Sequence, residues 1–199
     1  MIRFWKLLRH PSPNWESLFE EPPSALKVFF IFFLPILILS VVAESAGWYF
    51  LQISASFTNK APQSIAVFES QIIRWQGIQL GLTMGLLILI PQILRWISVS
   101  FGVRLLYKDA FLFSVYALVP LILVRFVDSL PWINTWICWS VGLLVSFRFL
   151  YHGAPYLLQR KLAGAFGFFM ITFLVFIVLN AISHLTLQTL IARELNSLF

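Results

Sequence analysis

The chain has 199 residues, of which 60% are apolar, with 21 Phe and 8 Trp, and only 11% are charged; its mean hydropathy is +0.88. Soluble domains of this size do not carry that composition, so the sequence describes a polytopic membrane protein. Lys and Arg number 14 against 8 Asp and Glu, a net charge of +6, but the basic residues flank apolar runs instead of gathering on a polar face, which argues against nucleic acid as a partner. The single cysteine, Cys138, allows no intrachain disulfide and reads as a small apolar packing residue amid Trp136 and Trp139.

The first 24 residues are amphipathic. Ile2, Trp5 and Leu8 recur at three-residue spacing opposite Arg3, Lys6 and Arg9, which predicts a short helix lying among anionic lipid headgroups. Ser12 then has the character of an N-cap with Pro13 at the first helical position, and Trp15, Leu18 and Phe19 form an apolar face that Pro22 and Pro23 terminate. A cleaved signal peptide fits poorly, because prolines and acids crowd this segment and Glu44 spoils the one weak cleavage site.

Five apolar runs follow, each long enough for a membrane span of about 20 residues: approximately 25–49, 77–101, 110–129, 132–151 and 163–187. The expected architecture is an all-α integral membrane bundle of five helices spanning 25–187, with a cytoplasmic segment 1–24 before it and a tail 188–199 outside the cytoplasm. Seven basic residues in the segments 1–24, 102–108 and 152–162 face two, Lys60 and Arg193, on the other side, which places the N-terminus in the cytoplasm. Asn59, Pro62, Gln63 and Ser64 mark 51–70 as the longest exposed loop. Leu130 and Pro131 leave so short a connection that the third and fourth spans must form an antiparallel hairpin.

The second span carries the strongest packing signal. Gly77, Gly81 and Gly85 fall four apart, a doubled G-x-x-x-G that stacks on one helical face and predicts close approach of a neighbouring helix, making this span the hub of the bundle. Pro91 and Arg95 lie one turn beyond and predict a kink with a buried arginine.

No nucleophile motif, zinc-binding motif or phosphate loop is present, no two carboxylates share a helical face, and His10, His152 and His184 fall too far apart to hold a metal. The sequence therefore predicts neither catalysis, cofactor nor metal. The remaining candidates are ionisable and polar groups within spans, which are costly to bury. Arg95, Asp109 and Arg148 form a layer near the cytoplasmic side, Asp109 being the expected partner of Arg95. Glu44, Arg125, Asp128 and His184 form an outer layer, with Asn180 one turn deeper. Arg125 and Asp128, three apart, could satisfy each other.

Three stretches carry a resemblance: PNWESLFEEP before the first span, FGVRLLYKDAFLFSVYALVPLIL running into the third, and FLYHGAPYLLQRKLAGAF leading into the fifth. With Trp15, Tyr116, Pro120, Tyr151, Gly153 and Pro155 as motif positions, the chain resembles the Yip family of Ypt/Rab-interacting proteins. Lacking the D-L-Y-G-P signature of eukaryotic members, it looks like the bacterial branch. The resemblance implies a multi-pass protein, of the inner membrane in a bacterium, without known catalysis. Two functions compete: a membrane-organising or interaction scaffold, with a protein partner or a second copy of itself, and a small transporter or lipid-moving protein that uses the intramembrane polar residues.

Overall fold

The computed structural model describes residue 9 and residues 11–57, 65–128, 130, 133–158 and 162–196. The helix expected from Ile2 to Leu8 and the turn markers Asn59 to Ser64 lie outside the described residues. Helix α1 (Pro11–Glu20) precedes five membrane spans. The first span is built from α2 (Ala25–Val28), a π-helical turn (Phe29–Phe33) and α3 (Leu34–Phe57). The others are α4 (Ile65–Ser100), α5 (Tyr107–Asp128), α6 (Thr135–Leu157) and α7 (Leu162–Asn196). The segment 51–70 is largely helical, because α3 and α4 each run past the span ends instead of giving way to a long loop. In the same way α7 carries most of the expected tail as helix.

The π-helical turn ends two residues before Pro35, whose ring would crowd the carbonyl of Ile31 in a regular α-helix. Widening the turn there gives a Leu34 N–H to Phe29 carbonyl bond and turns Phe32 and Phe33 into the core. Pro91 is carried inside α4 without interrupting it. At the end of α4, Gly102 adopts φ 70° and sends the Val103 N–H back to the Ser98 carbonyl at 3.1 Å, closing the helix with a glycine in the left-handed region.

The hub is α5, not α4. Every residue from Ala110 to Ile122 is buried, and 72% of its most apolar window lies inside the protein against 39% or less for the other spans. It packs against α3, α4 and α6, while α7 closes the circuit between α4 and α6. The predicted α5–α6 hairpin is present. Gly142 allows its closest approach: a Cβ there would lie 2.8 Å from Leu121 Cδ2 and 3.3 Å from Leu121 Cα. Ser146 Oγ then donates across the pair to the Ala117 carbonyl at 2.7 Å.

The doubled G-x-x-x-G does not pack on any of the described residues. Gly77, Gly81 and Gly85 are exposed, and a Cβ on any of them would meet nothing within 4 Å. The cause is the competing face of α4. Gln71, Gln76, Gln79 and Thr83 are buried together with Ile72, Trp75, Leu87, Ile90 and Leu94. A helix has one inward face, and placing four polar side chains in lipid costs more than leaving glycines there. Gly142→Ala should therefore lower thermal stability in detergent, because backbone as well as side-chain atoms of α5 would have to move. Gly81→Leu should leave the monomer's melting profile unchanged.

Candidate functional site

The polar residues gather at the two ends of the bundle in different ways. At the end where α1 docks, the expected pair of Arg95 and Asp109 is not made. Arg95 is half-buried and donates from Nε to the Leu105 carbonyl at 3.4 Å and from Nη1 to Gln92 Oε1 at 3.3 Å. Asp109 lies in the first turn of α5, where the helix dipole already favours a carboxylate without a cation. Arg148 is exposed on α6 and does not take the Asp109 carboxylate as its partner. Asp109→Asn should accordingly cost about 1 kcal/mol or less in thermal denaturation, since what is lost is the helix-end interaction and the attraction of the adjacent Lys108.

The family-motif positions converge at this same end. Trp15, fully buried, stands 5.5 Å from Phe113 and 5.9 Å from Tyr116, ring centre to ring centre. Gly153 supplies the space beneath it, since a Cβ there would come within 2.9 Å of Trp15 Cε2 and 2.6 Å of Phe113 Cε2. Pro120 is buried one turn beyond Tyr116, Pro155 is half-buried, and Tyr151 is exposed and stacks on Phe147 at 6.4 Å. Lys108 Nζ donates to the Pro22 carbonyl at 3.1 Å and fixes the link between α1 and the first span. The apolar face of α1 is thus seated on the bundle, and these motif positions build a structural joint.

The opposite end holds the candidate site. A cavity of about 370 Å³ is lined from all five spans, with Glu44 and Trp48 from α3, Gln79 from α4, Arg125 and Asp128 from α5, Cys138 and Trp139 from α6, and Asn180 and His184 from α7. Its size falls in the range of small-molecule sites. Trp48 and Gln188, both exposed, stand at its rim, so it opens to the surface. Asn180 lies about 15 Å inside the Leu190 end of its span at helical rise, which carries the cavity toward the middle of a bilayer. The whole outer layer anticipated from sequence therefore meets in one place.

Its hydrogen bonds run in a chain. Arg125 Nη2 donates to Thr83 Oγ1 at 3.2 Å, Thr83 Oγ1 donates to the Gln79 carbonyl at 2.8 Å, and Gln79 Nε2 donates to Glu44 Oε1 at 3.4 Å. His184 lies 3.0 Å from Gln188 Nε2 and packs against the rings of Trp136 and Trp139 at 5.6 and 6.3 Å. Asn180 Nδ2 donates to the Phe176 carbonyl of its own helix at 2.7 Å, joining no other helix through that bond. Glu44 Oε2, Arg125 Nη1 and Asp128 Oδ1 are buried with no hydrogen-bond partner among the described residues. The mutual satisfaction expected of Arg125 and Asp128 is not made by a hydrogen bond: Arg125 turns to Thr83 instead. A buried charged side chain whose hydrogen-bonding capacity is only partly used costs free energy in an apolar medium. Three such atoms beside one cavity make it the strongest candidate for a site.

Gln79, Thr83, Trp48, Cys138 and Trp139 were not singled out as site residues by sequence. The signal for the first two was available: Gln71, Gln76, Gln79 and Thr83 recur at intervals of three to five and trace one polar face of α4. Cys138, expected to be a simple packing residue, is buried but borders the cavity. Among the described residues no group of three His, Cys, Asp or Glu side chains is placed to hold a metal ion.

An all-helical bundle of five apolar spans, with Glu44, Arg125 and Asp128 gathered around one cavity, is an integral, multi-pass membrane protein. The family model of the Yip1 domain matches residues 5–183, and the chain belongs to that family. No curated protein and no solved structure matches it.

Proposed function

We propose that this Yip1-domain protein is a non-enzymatic lipid-handling protein that admits the polar part of a membrane component into the cavity at the far end of the bundle. The observation that carries this reading is the set of three buried, unpartnered charged atoms, on Glu44, Arg125 and Asp128, around a cavity open to the surface. A scaffold needs no such cavity, since a purely structural bundle is more stable with these positions apolar. The absence from the sequence of a recognisable nucleophile and base in register supports the non-enzymatic assignment. The test is reconstitution into vesicles carrying fluorescent lipid in one leaflet. Lipid movement faster than in protein-free vesicles is expected, and an unchanged rate would remove the lipid-moving reading.

The excess of basic residues in segments 1–24, 102–108 and 152–162 supports a cytoplasmic N-terminus, an outer cavity and a C-terminus outside the cytoplasm. In a bacterial cell the membrane would be the inner one. An interaction role, through a second copy or another membrane protein, finds its support in the open glycine face of α4. Gly81→Leu tests it by shifting the oligomeric state in a mild detergent without changing monomer stability.

A further inference from the structure

The geometry points to a phosphoammonium zwitterion, of the aminoethyl-phosphate type, as the group that enters the cavity, its phosphate on Arg125 and its ammonium between Glu44 and Asp128. This rests on the lipid-handling reading and names its ligand chemistry. Two carboxylates and one guanidinium line the cavity, which leaves one excess negative charge when His184 is neutral. A purely anionic head group would satisfy Arg125 and be repelled by both carboxylates. A purely cationic one would leave Arg125 Nη1 without an acceptor.

A zwitterion answers both, and the spacing suits it. Arg125 reaches α4 at Thr83, and Glu44 reaches α4 at Gln79, by contacts of 3.2 and 3.4 Å. These two residues are four apart, roughly 6 Å along the helix, a separation that a two-carbon aminoethyl phosphate with its hydrogen bonds can bridge. The Arg125 guanidinium, which lines the cavity, then donates to a phosphate oxygen, the contact for which a guanidinium is best shaped. The Glu44 and Asp128 carboxylates accept from the ammonium, and the indoles of Trp48 and Trp139, which line the same cavity, attract that cation.

The experiment measures binding by the purified full-length protein in detergent to three probes: dihexanoyl phosphatidylethanolamine, dihexanoyl phosphatidylglycerol and glycerophosphoethanolamine. The ethanolamine lipid should bind at least about tenfold more tightly than the glycerol lipid, the scale of one charge-assisted hydrogen bond. Glu44→Gln with Asp128→Asn should erase that preference while retaining binding of the glycerol lipid. Arg125→Met should weaken both lipids, and Arg125→Lys should recover part of the loss, which separates a missing charge from a failed fold. Glycerophosphoethanolamine binding as tightly as the ethanolamine lipid would support the zwitterion and place its source in water; weaker binding would support it and place the source in the membrane. Equal or tighter binding of the glycerol lipid, still lost in Arg125→Met, would overturn the zwitterion but leave a lipid-handling cavity. Binding of no probe that depends on Arg125, Glu44 or Asp128 would overturn both.

Discussion

Replacing Trp15 with Ala should undock α1 and destabilise the protein by about 3 to 5 kcal/mol, the range for deleting a fully buried large aromatic. The ring is enclosed by Phe19, Phe113 and Tyr116 at centre distances of 5.7, 5.5 and 5.9 Å, and Gly153 lies beneath it. Such contacts, one stacked, one tilted and one edge-on, add to the stabilisation from area buried. The neighbours cannot close the gap cheaply, since Phe113 and Tyr116 belong to the fully buried part of α5. Trp15→Phe should cost much less, because the indole Nε1 has no hydrogen-bond partner among the described residues and its removal forfeits no bond. Gly153→Leu should resemble Trp15→Ala from the opposite direction, by filling the seat. Detergent melting and protease cleavage within residues 11–24 measure the effect. An unchanged melting temperature in Trp15→Ala with α1 newly cleavable would mean that the helix contributes nothing to the bundle's stability.

The second large effect concerns the cavity charges. Removing Arg125 with Met leaves Glu44 and Asp128 without the only cation that lines their cavity among the described residues, and an uncompensated buried charge typically costs 3 to 5 kcal/mol. The same change should lower the reconstituted lipid-movement rate by about 10- to 100-fold, corresponding to one lost hydrogen bond to a charged group at roughly 1.5 to 3 kcal/mol. Adding Glu44→Gln to Arg125→Met should restore much of the stability, because one unpaired carboxylate is neutralised, but none of the rate. That split separates the two roles. Rate and stability recovering together would mean that the charges serve the fold alone.

Much of this was legible in the sequence, for reasons that differ by residue. The five spans follow from run length alone, since each backbone group in lipid needs a partner within its own helix. The outer layer of Glu44, Arg125, Asp128, His184 and Asn180 was legible because alternating spans carry those positions to the same end, whatever the order of helices around the bundle. Which helices touch was not legible. The glycine repeat at Gly77, Gly81 and Gly85 promised a packing face, yet Gln71, Gln76, Gln79 and Thr83 claimed the inward side of the same helix. The close approach falls at Gly142, a lone glycine with no repeat to announce it. Arg95 was expected to seek a carboxylate, but it donates instead to the backbone carbonyl of Leu105, in the connection between α4 and α5. Partner choice of that kind depends on loop geometry, which side-chain spacing does not encode.

Cys138 offers the most direct test that the cavity is polar and open. It is the only cysteine in the chain, is buried within the fourth span and lines the cavity wall. A small, membrane-impermeant cationic methanethiosulfonate reagent should label it in intact vesicles at pH 8, from the side facing the ends of α5 and α7, and Arg125→Met should change the rate. Labelling only after denaturation in SDS would mean that the cavity is closed and dry in the folded protein, and would contradict the account.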